Sequence, residues 1–313
     1  MKKRILHRVL QFIVTLIGAT FLTFCLTYIA PGDPAATILE TAEIQVSQEL
    51  LDQTRHEMGL DKPFLLQYTS WVGGAITGDL GMSYSAKKPV VDKLMESLPG
   101  TAMLAIIASI FMLLISVPGG VISAMYRNKA PDHILRLFSF FAVSMPTFWL
   151  GLLLLYIFGV KLHLFTIGTA HVSVETAVLP AATLALAMTG KYVRQIRLIV
   201  LEEMQKDYVI GARARGMKEI DIMYRHIIPN AILPLITLFG TFIGWLFGGV
   251  AVVEMIFAWP GLGRMAVNAI AMRDYPLIEG FVLWAALAYM VINFLVDLSY
   301  GYLDPRLRKG GKA

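Results

Sequence analysis

Six apolar runs, each about the length a helix needs to cross ~30 Å of hydrocarbon, restrict this chain more than any other feature. They are Val9–Ala30, Thr101–Met125, Leu137–Val160, Ala177–Val200, Ala231–Val253 and Phe281–Tyr302. In lipid every backbone N–H and C=O must be paired within the protein, which a helix does unaided. Only 16% of the residues are charged, where a soluble domain carries about a quarter. An all-α integral membrane protein with six transmembrane helices is expected. The fourth run is the weakest, because Lys191, Arg194 and Arg197 enter its second half. Those three side chains are expected to reach toward the headgroups at the mouth of the helix. The first run follows Met-Lys-Lys-Arg, but it exceeds the apolar core of a secretory signal and no small-residue cleavage site follows. A retained helix is expected.

Basic residues orient the spans. With the N-terminus inside, the segments 1–8, 126–136, 191–230 and 303–313 hold 19 of the 27 Lys and Arg. The opposite side holds eight, with 14 of the 22 acids. Both termini are therefore expected in the cytoplasm, and the net charge of +5 reads as a topology signal rather than as affinity for nucleic acid. The lone Cys25 lies in an apolar run and excludes a disulfide framework within the chain.

The chain divides into an N-terminus and first span (1–30), an outer loop (31–100), a five-helix core (101–303) and a tail (304–313). The outer loop carries a helical pattern near Ser47–Met58 and a turn-rich stretch from Gly78 to Tyr84; a loop of that length folds on itself or serves a partner. Within the core, a polar segment at 201–229 separates the fourth and fifth spans. Gly240, Gly244 and Gly248 recur at four-residue spacing, which suits close helix packing or, alternatively, a hinge.

Soluble-enzyme motifs are missing. There is no G-x-x-x-x-G-K-[ST] phosphate loop. His56-Glu57 lacks the second His of a zinc protease. Gly261-Leu-Gly-Arg-Met-Ala266 matches a dinucleotide fingerprint in form, but it follows Trp259-Pro260 rather than a soluble strand. No clustered ligand set is visible, so neither a dedicated metal site nor a cofactor is expected.

The polar segment carries the functional information. It runs Asp207-Tyr-Val-Ile-Gly-Ala-Arg-Ala-Arg-Gly216, continues from Met217 to Arg225, and ends His226-Ile-Ile-Pro229. A helix, a glycine break, a second helix and a proline form an elbow. Arg213, Arg215 and Lys218 interleave with Val209, Ala212, Ala214 and Met217. On its residues alone the elbow is either a solvated connection or a docking element for a partner.

The elbow resembles the coupling motif of bacterial ABC-importer permeases, written E-A-A-x3-G-x9-I-x-L-P. Gly216 and Pro229 stand at the family spacing and Ala212 fits the third position, whereas Ile210 and Gly211 replace Glu-Ala, and His226 and Ile228 replace Ile and Leu. The form Tyr208-Val-x2-Ala-Arg-Ala-Arg-Gly216, with Arg225-His-x2-Pro-Asn-Ala231, looks like the dipeptide/oligopeptide/nickel branch. Ala30-Pro-Gly-Asp-Pro34, Ser144-Met-Pro-Thr-Phe-Trp149, Ile256-Phe-Ala-Trp-Pro-Gly-Leu-Gly263, Arg273-Asp-Tyr-Pro276 and Asp304-Pro-Arg306 agree in order.

The resemblance implies a type I importer permease, not itself catalytic, in a bacterial inner membrane. It also implies a homologous second permease, two cytoplasmic ATPases, an extracytoplasmic solute-binding protein and a cargo of peptide or nickel, with a lean toward nickel. Asp207, Tyr208, Ala212, Arg213, Ala214, Arg215, Gly216, Met217, His226 and Pro229 would then couple to the ATPase. Ser144, Pro146 and Thr147 are candidates for the translocation path, or equally mark a kinked packing helix. Glu254 and Asp274, read as loop carboxylates at the outer mouth, could attract a cation or be merely solvated or structural. External His56, His163 and His171 are compatible with metal passage or with an ordinary surface, and Asp297 is expected to meet a basic partner. The rival classes are a channel or scaffold without ATPase coupling, and a membrane-embedded enzyme. Spans one, two, three and five lack the interior charges that the enzyme would need.

Overall fold

The structure, a computed structural model, describes residues 2–41, 47–165 and 172–303; the expectations for His171 and for Asp304-Pro-Arg306 lie outside these. In chain order the helices are α1 (Lys2–Ile29), α2 (Pro34–Thr41), α3 (Gln48–Glu57), α4 (Phe64–Thr77), α5 (Val90–Met125) and α6 (Ala130–Ser144). They continue with α7 (Thr147–Leu154), α8 (Val174–Glu203), α9 (Asp207–Ala214), α10 (Glu219–Ile222), α11 (Ile228–Ile256), α12 (Leu262–Ala271) and α13 (Tyr275–Leu303). Wide π turns occupy Leu155–Lys161 and Met223–Ile227. No strand occurs among the described residues, only a bridge between Met82 and Pro89.

Length and hydropathy mark spans at Leu10–Ile29, Val90–Met125, Glu219–Leu246 and Tyr275–Val296. The third apolar run is not one straight helix. α6 and α7 meet at 102° across Met145-Pro146, because proline supplies no N–H and clashes with a continuing turn. The fourth run lies inside α8, whose start is set by a reciprocal capping box between Ser173 and Thr176. α1 exposes Leu10, Val14, Ile17, Leu22 and Leu26, an apolar surface suited to lipid.

Two compact units form, residues 1–101 with 260–290, and residues 102–259 with 291–313. In the first, α1 packs on α4 through edge-to-face pairs of Phe21 and Phe24 with Phe64 and Tyr68, geometry that adds about 0.5–1.5 kcal/mol per pair beyond burial. The helical pattern near Ser47–Met58 is α3, capped by Ser47 accepting from the Leu50 amide at 3.2 Å. A second cluster joins Leu80, Val90 and Leu94 to Leu262, Met265, Ala269 and Leu277.

In the second unit α8 is the central post, against which α6, α7 and α11 pack. Close approach is permitted by missing side chains. A Cβ on Gly190 would lie 2.5 Å from the Ser139 carbonyl oxygen, and one on Gly120 would lie 2.6 Å from Ile196. The expectation that Arg197 reaches for headgroups is corrected here. Its guanidinium makes two 2.8 Å bonds to Asp132, which is fully buried. Ser123 Oγ and the Asn128 amide donate to the same carboxylate. A buried charge persists only when paired and hydrogen-bonded, and Asp132 sits at the start of α6, where the helix dipole also favours an anion.

Candidate functional site

The elbow is built by local rules. α9 ends in a Schellman motif: the Gly216 amide donates to Arg213 O at 2.9 Å and the Met217 amide to Ala212 O at 3.3 Å. Gly216 has φ +76°, a region that costs an L side chain about 1–2 kcal/mol. The space a Cβ would occupy at Gly216 is open, so only backbone conformation requires the glycine. Beyond it, Lys218 leads into α10, then the wide turn Met223–Ile227, then α11 with Pro229 just past that turn, where the missing proline amide removes one bond of the helical ladder.

The elbow has two faces. Val209, Ala212, Ile222, Met223 and Ile227 are buried in the core of the second unit, with Tyr208 and Met217 packed against it. Ile210, Gly211, Arg213, Ala214, Arg215 and Gly216 face outward, as do Ile220 and Tyr224. Arg213 spans the glycine break to Glu219 through two bonds of 2.6 and 3.0 Å. A bidentate fork of this kind fixes geometry, although its exposure limits its worth to about 1 kcal/mol or less.

At the other end Tyr208 donates to Glu203 Oε1 at 2.6 Å, and Lys206 pairs with Glu203 Oε2. Burial pushes the Tyr208 phenol above its usual range, and the bond to the Glu203 carboxylate pushes the same way. The hydroxyl therefore stays protonated and donating. Asn230 donates to His226 O at 2.7 Å, joining the elbow to α11. Glu203, Lys206 and Glu219 thus hold the elbow and were missed from sequence. Their signal was present in the i, i+3 spacing of Glu203 and Lys206. Asp207 begins α9, where an acid suits the dipole.

Of the candidate path residues, Ser144 donates to Phe140 O at 2.8 Å and Pro146 caps α7, so with Thr147 they form the bend between α6 and α7. Glu254 and Asp274 are not loop carboxylates in water: both are fully buried. Glu254 lies within α11. Asp274 Oδ2 accepts from Ser83 Oγ at 2.6 Å, the Ser85 amide at 2.9 Å and Ser85 Oγ at 2.7 Å. Its Oδ1 accepts from the Leu277 amide, so Asp274 both caps α13 and pins the 83–85 loop. Gly240 faces Val296, whose side chain lies 2.6 Å from where a Cβ would stand. The side chains around Gly248 and of Asp297 lie outside the described residues. His56 meets Asp61 at 2.7 Å, and no group of three or more metal-ligating side chains occurs among the described residues.

Long apolar helices and a helix–glycine–helix elbow rooted in the core of the second unit are the architecture of a membrane transport subunit. Residues 116–309 match the family described as binding-protein-dependent transport system inner membrane component, and residues 1–105 match its N-terminal counterpart. The chain belongs to this family and is a permease subunit of an ABC importer. It is 35% identical over 313 residues, the full length of both chains, to the metal-staphylopine import system permease protein CntB of Staphylococcus aureus. It is 36% identical to the oligopeptide transport system permease protein AppB of Bacillus subtilis, covering 97% of this chain and 98% of the other. The glutathione transport system permease protein GsiC of Escherichia coli K12 is 33% identical, with the same coverage. Among solved structures, a chain of the inward-facing MetNI methionine ABC transporter matches with a TM-score of 0.56 at 19% identity, covering 68% of this chain and 96% of that one. The type I importer fold follows.

Proposed function

We propose that this subunit pairs with a homologous permease, lies with both termini in the cytoplasm, and seats its elbow on one of two ATPases while a solute-binding protein delivers cargo from outside. ATP hydrolysis belongs to the ATPases. Closure of the nucleotide sites would push the elbow, and the rigid connection into α8 and α11 would turn that push into alternating access. The cargo is a peptide or a metal chelate: the relatives are named for metal-staphylopine, oligopeptide and glutathione, and the lean toward nickel rests on the sequence motifs alone. The observation that carries this function is the two-faced elbow. One flank is sealed into the core by Val209, Ala212 and Ile227, and the other offers Ile210, Arg213, Arg215 and Tyr224. A solvated connection needs no such burial.

The test is uptake of a labelled peptide and of a nickel chelate by proteoliposomes holding the whole importer, with ATP hydrolysis measured alongside. Gly216→Val forces a β-branched residue to positive φ and lowers uptake per ATP about tenfold, the effect of a strain of 1–2 kcal/mol. Gly216→Asn, which tolerates that conformation, retains coupling. Equal uptake per ATP in both variants and the parent would sink the coupling role.

A further inference from the structure

α4 is an unusual helix for a loop between two spans. No charged residue occurs from Pro63 to Gly78, between Lys62 and Asp79, and α4 fills most of that stretch with 14 residues. At 1.5 Å per residue it is about 21 Å long, too short to cross a bilayer. An apolar helix of this length is either packed into a core or held in the membrane without crossing it. None of its residues is buried, which removes the first choice. Leu65, Leu66 and Ile76 are 65%, 55% and 82% exposed. At about 100° per residue they fall within one 100° sector of the helix.

The polar groups of α4 are satisfied inside the protein, as lipid requires. Thr69 Oγ1 donates to Leu65 O and Thr77 Oγ1 to Gly74 O, both at 2.8 Å. Gln67 Nε2 donates to the Leu60 and Lys62 carbonyls at 3.2 and 2.7 Å. Hydroxyls turned back onto their own helix ask nothing of solvent.

A separate observation sets the depth. The Tyr68 hydroxyl lies 3.1 Å from Thr20 Oγ1 and donates to Ile17 O at 3.4 Å. Thr20 stands nine residues before the end of α1 at Ile29, which is about 13 Å along the axis and half-way down the span Leu10–Ile29. α4 therefore touches α1 near mid-span. Phe64 packs edge-to-face on Phe21 and Tyr28, and these two rings remain 38% and 56% exposed, so the bare surfaces of the two helices adjoin.

We propose that α4 is a membrane-embedded helix that does not cross, its Leu65, Leu66 and Ile76 face lying against the acyl chains of the leaflet around residues 20–29 of α1. Lipid is the occupant rather than a soluble protein: a docked protein would meet a polar rim, whereas this face is continuous with the apolar surface of α1. Segment 31–100 then divides into α3, with Glu49, Asp52 and Glu57 exposed to water, and the immersed α4. The inference is independent of the elbow and of the cargo.

The test places single nitroxide labels at Leu65→Cys and Ile76→Cys in the Cys25→Ser chain, full length, in nanodiscs of phosphatidylethanolamine and phosphatidylglycerol. Only variants that melt at the parent's temperature are measured. Leu22→Cys on α1 is the lipid reference and Glu49→Cys on α3 the water reference. Electron paramagnetic resonance compares collisions with oxygen, which concentrates in hydrocarbon, and with a nickel chelate, which stays in water. Collisions at positions 65 and 76 are expected to favour oxygen as strongly as at position 22, both in the chain alone and in the assembled importer. Nickel-dominated collisions, as at position 49, would put α4 in water. Shielding from both reagents, in either preparation, would put a protein over it. Each of these two results overturns the proposal.

Discussion

Asp132 shows what one residue can hold. Its carboxylate collects Arg197, Ser123 and the Asn128 amide from positions up to 65 residues apart. Removing one partner of a buried pair leaves an uncompensated charge, at about 3–5 kcal/mol. Arg197→Ala and Asp132→Ala are each expected to lower the melting temperature of the detergent-solubilised chain by amounts in that range. The double variant should cost much less than the sum, as coupled neighbours do; additive losses would show that the two side chains act separately. The same residue marks the limit of reading a sequence. Arg197 was visible as a charge in an apolar run, but its partner sits in another helix, and spacing along the chain carries no trace of that contact. Gly216 was legible for the opposite reason, because a Schellman turn is specified within six residues.

Helix packing separates two kinds of glycine. Gly190 lies where α8 meets α6, and a methyl there would strike the Ser139 backbone at 2.5 Å. Gly190→Ala should therefore cost about 1–3 kcal/mol through overpacking. Gly211 lies mid-way along α9 with nothing within 4 Å of a Cβ, so Gly211→Ala should gain up to about 1 kcal/mol of helix propensity. Thermal melting of the two variants checks the contrast, and a shift of the same sign in both would contradict it. Both glycines stand in apolar or alternating runs in the sequence, and only the neighbour across the interface tells them apart. The spans were legible in most places because length and hydropathy are local. α5, however, begins at Val90, earlier than its apolar run, because Asp92 and Glu96 occupy its first turns. The 102° bend at Pro146 shows the same limit: the proline was seen, but its angle depends on what surrounds it.

At the scale of the whole chain, Asp274 joins segments distant in sequence, since Ser83 and Ser85 lie 191 and 189 residues away. Asp274→Ala would leave both hydroxyls and the Ser85 amide without their acceptor. Limited proteolysis of the purified chain should then cut between Gly78 and Pro89 several-fold faster. Unchanged cleavage would mean that the loop is held by other contacts. In the sequence this carboxylate stands in Arg273-Asp-Tyr-Pro276, and an isolated acid between helices looks solvated until its serine partners are known.

The wide turn at Met223–Ile227 carries a consequence for how such chains diverge. Its closing amide, from Ile228, reaches back five residues to Met223, so this stretch holds one residue more than an α-helix would need. One residue on a helix is worth about 100° of rotation. Loss of that surplus residue would swing α9 and α10 by roughly a quarter-turn about the axis of α11, turning a different flank toward any neighbour. Such chains can therefore gain or lose a residue here only with compensating changes around Val209, Ala212 and Ile222, which now seal the elbow into the core.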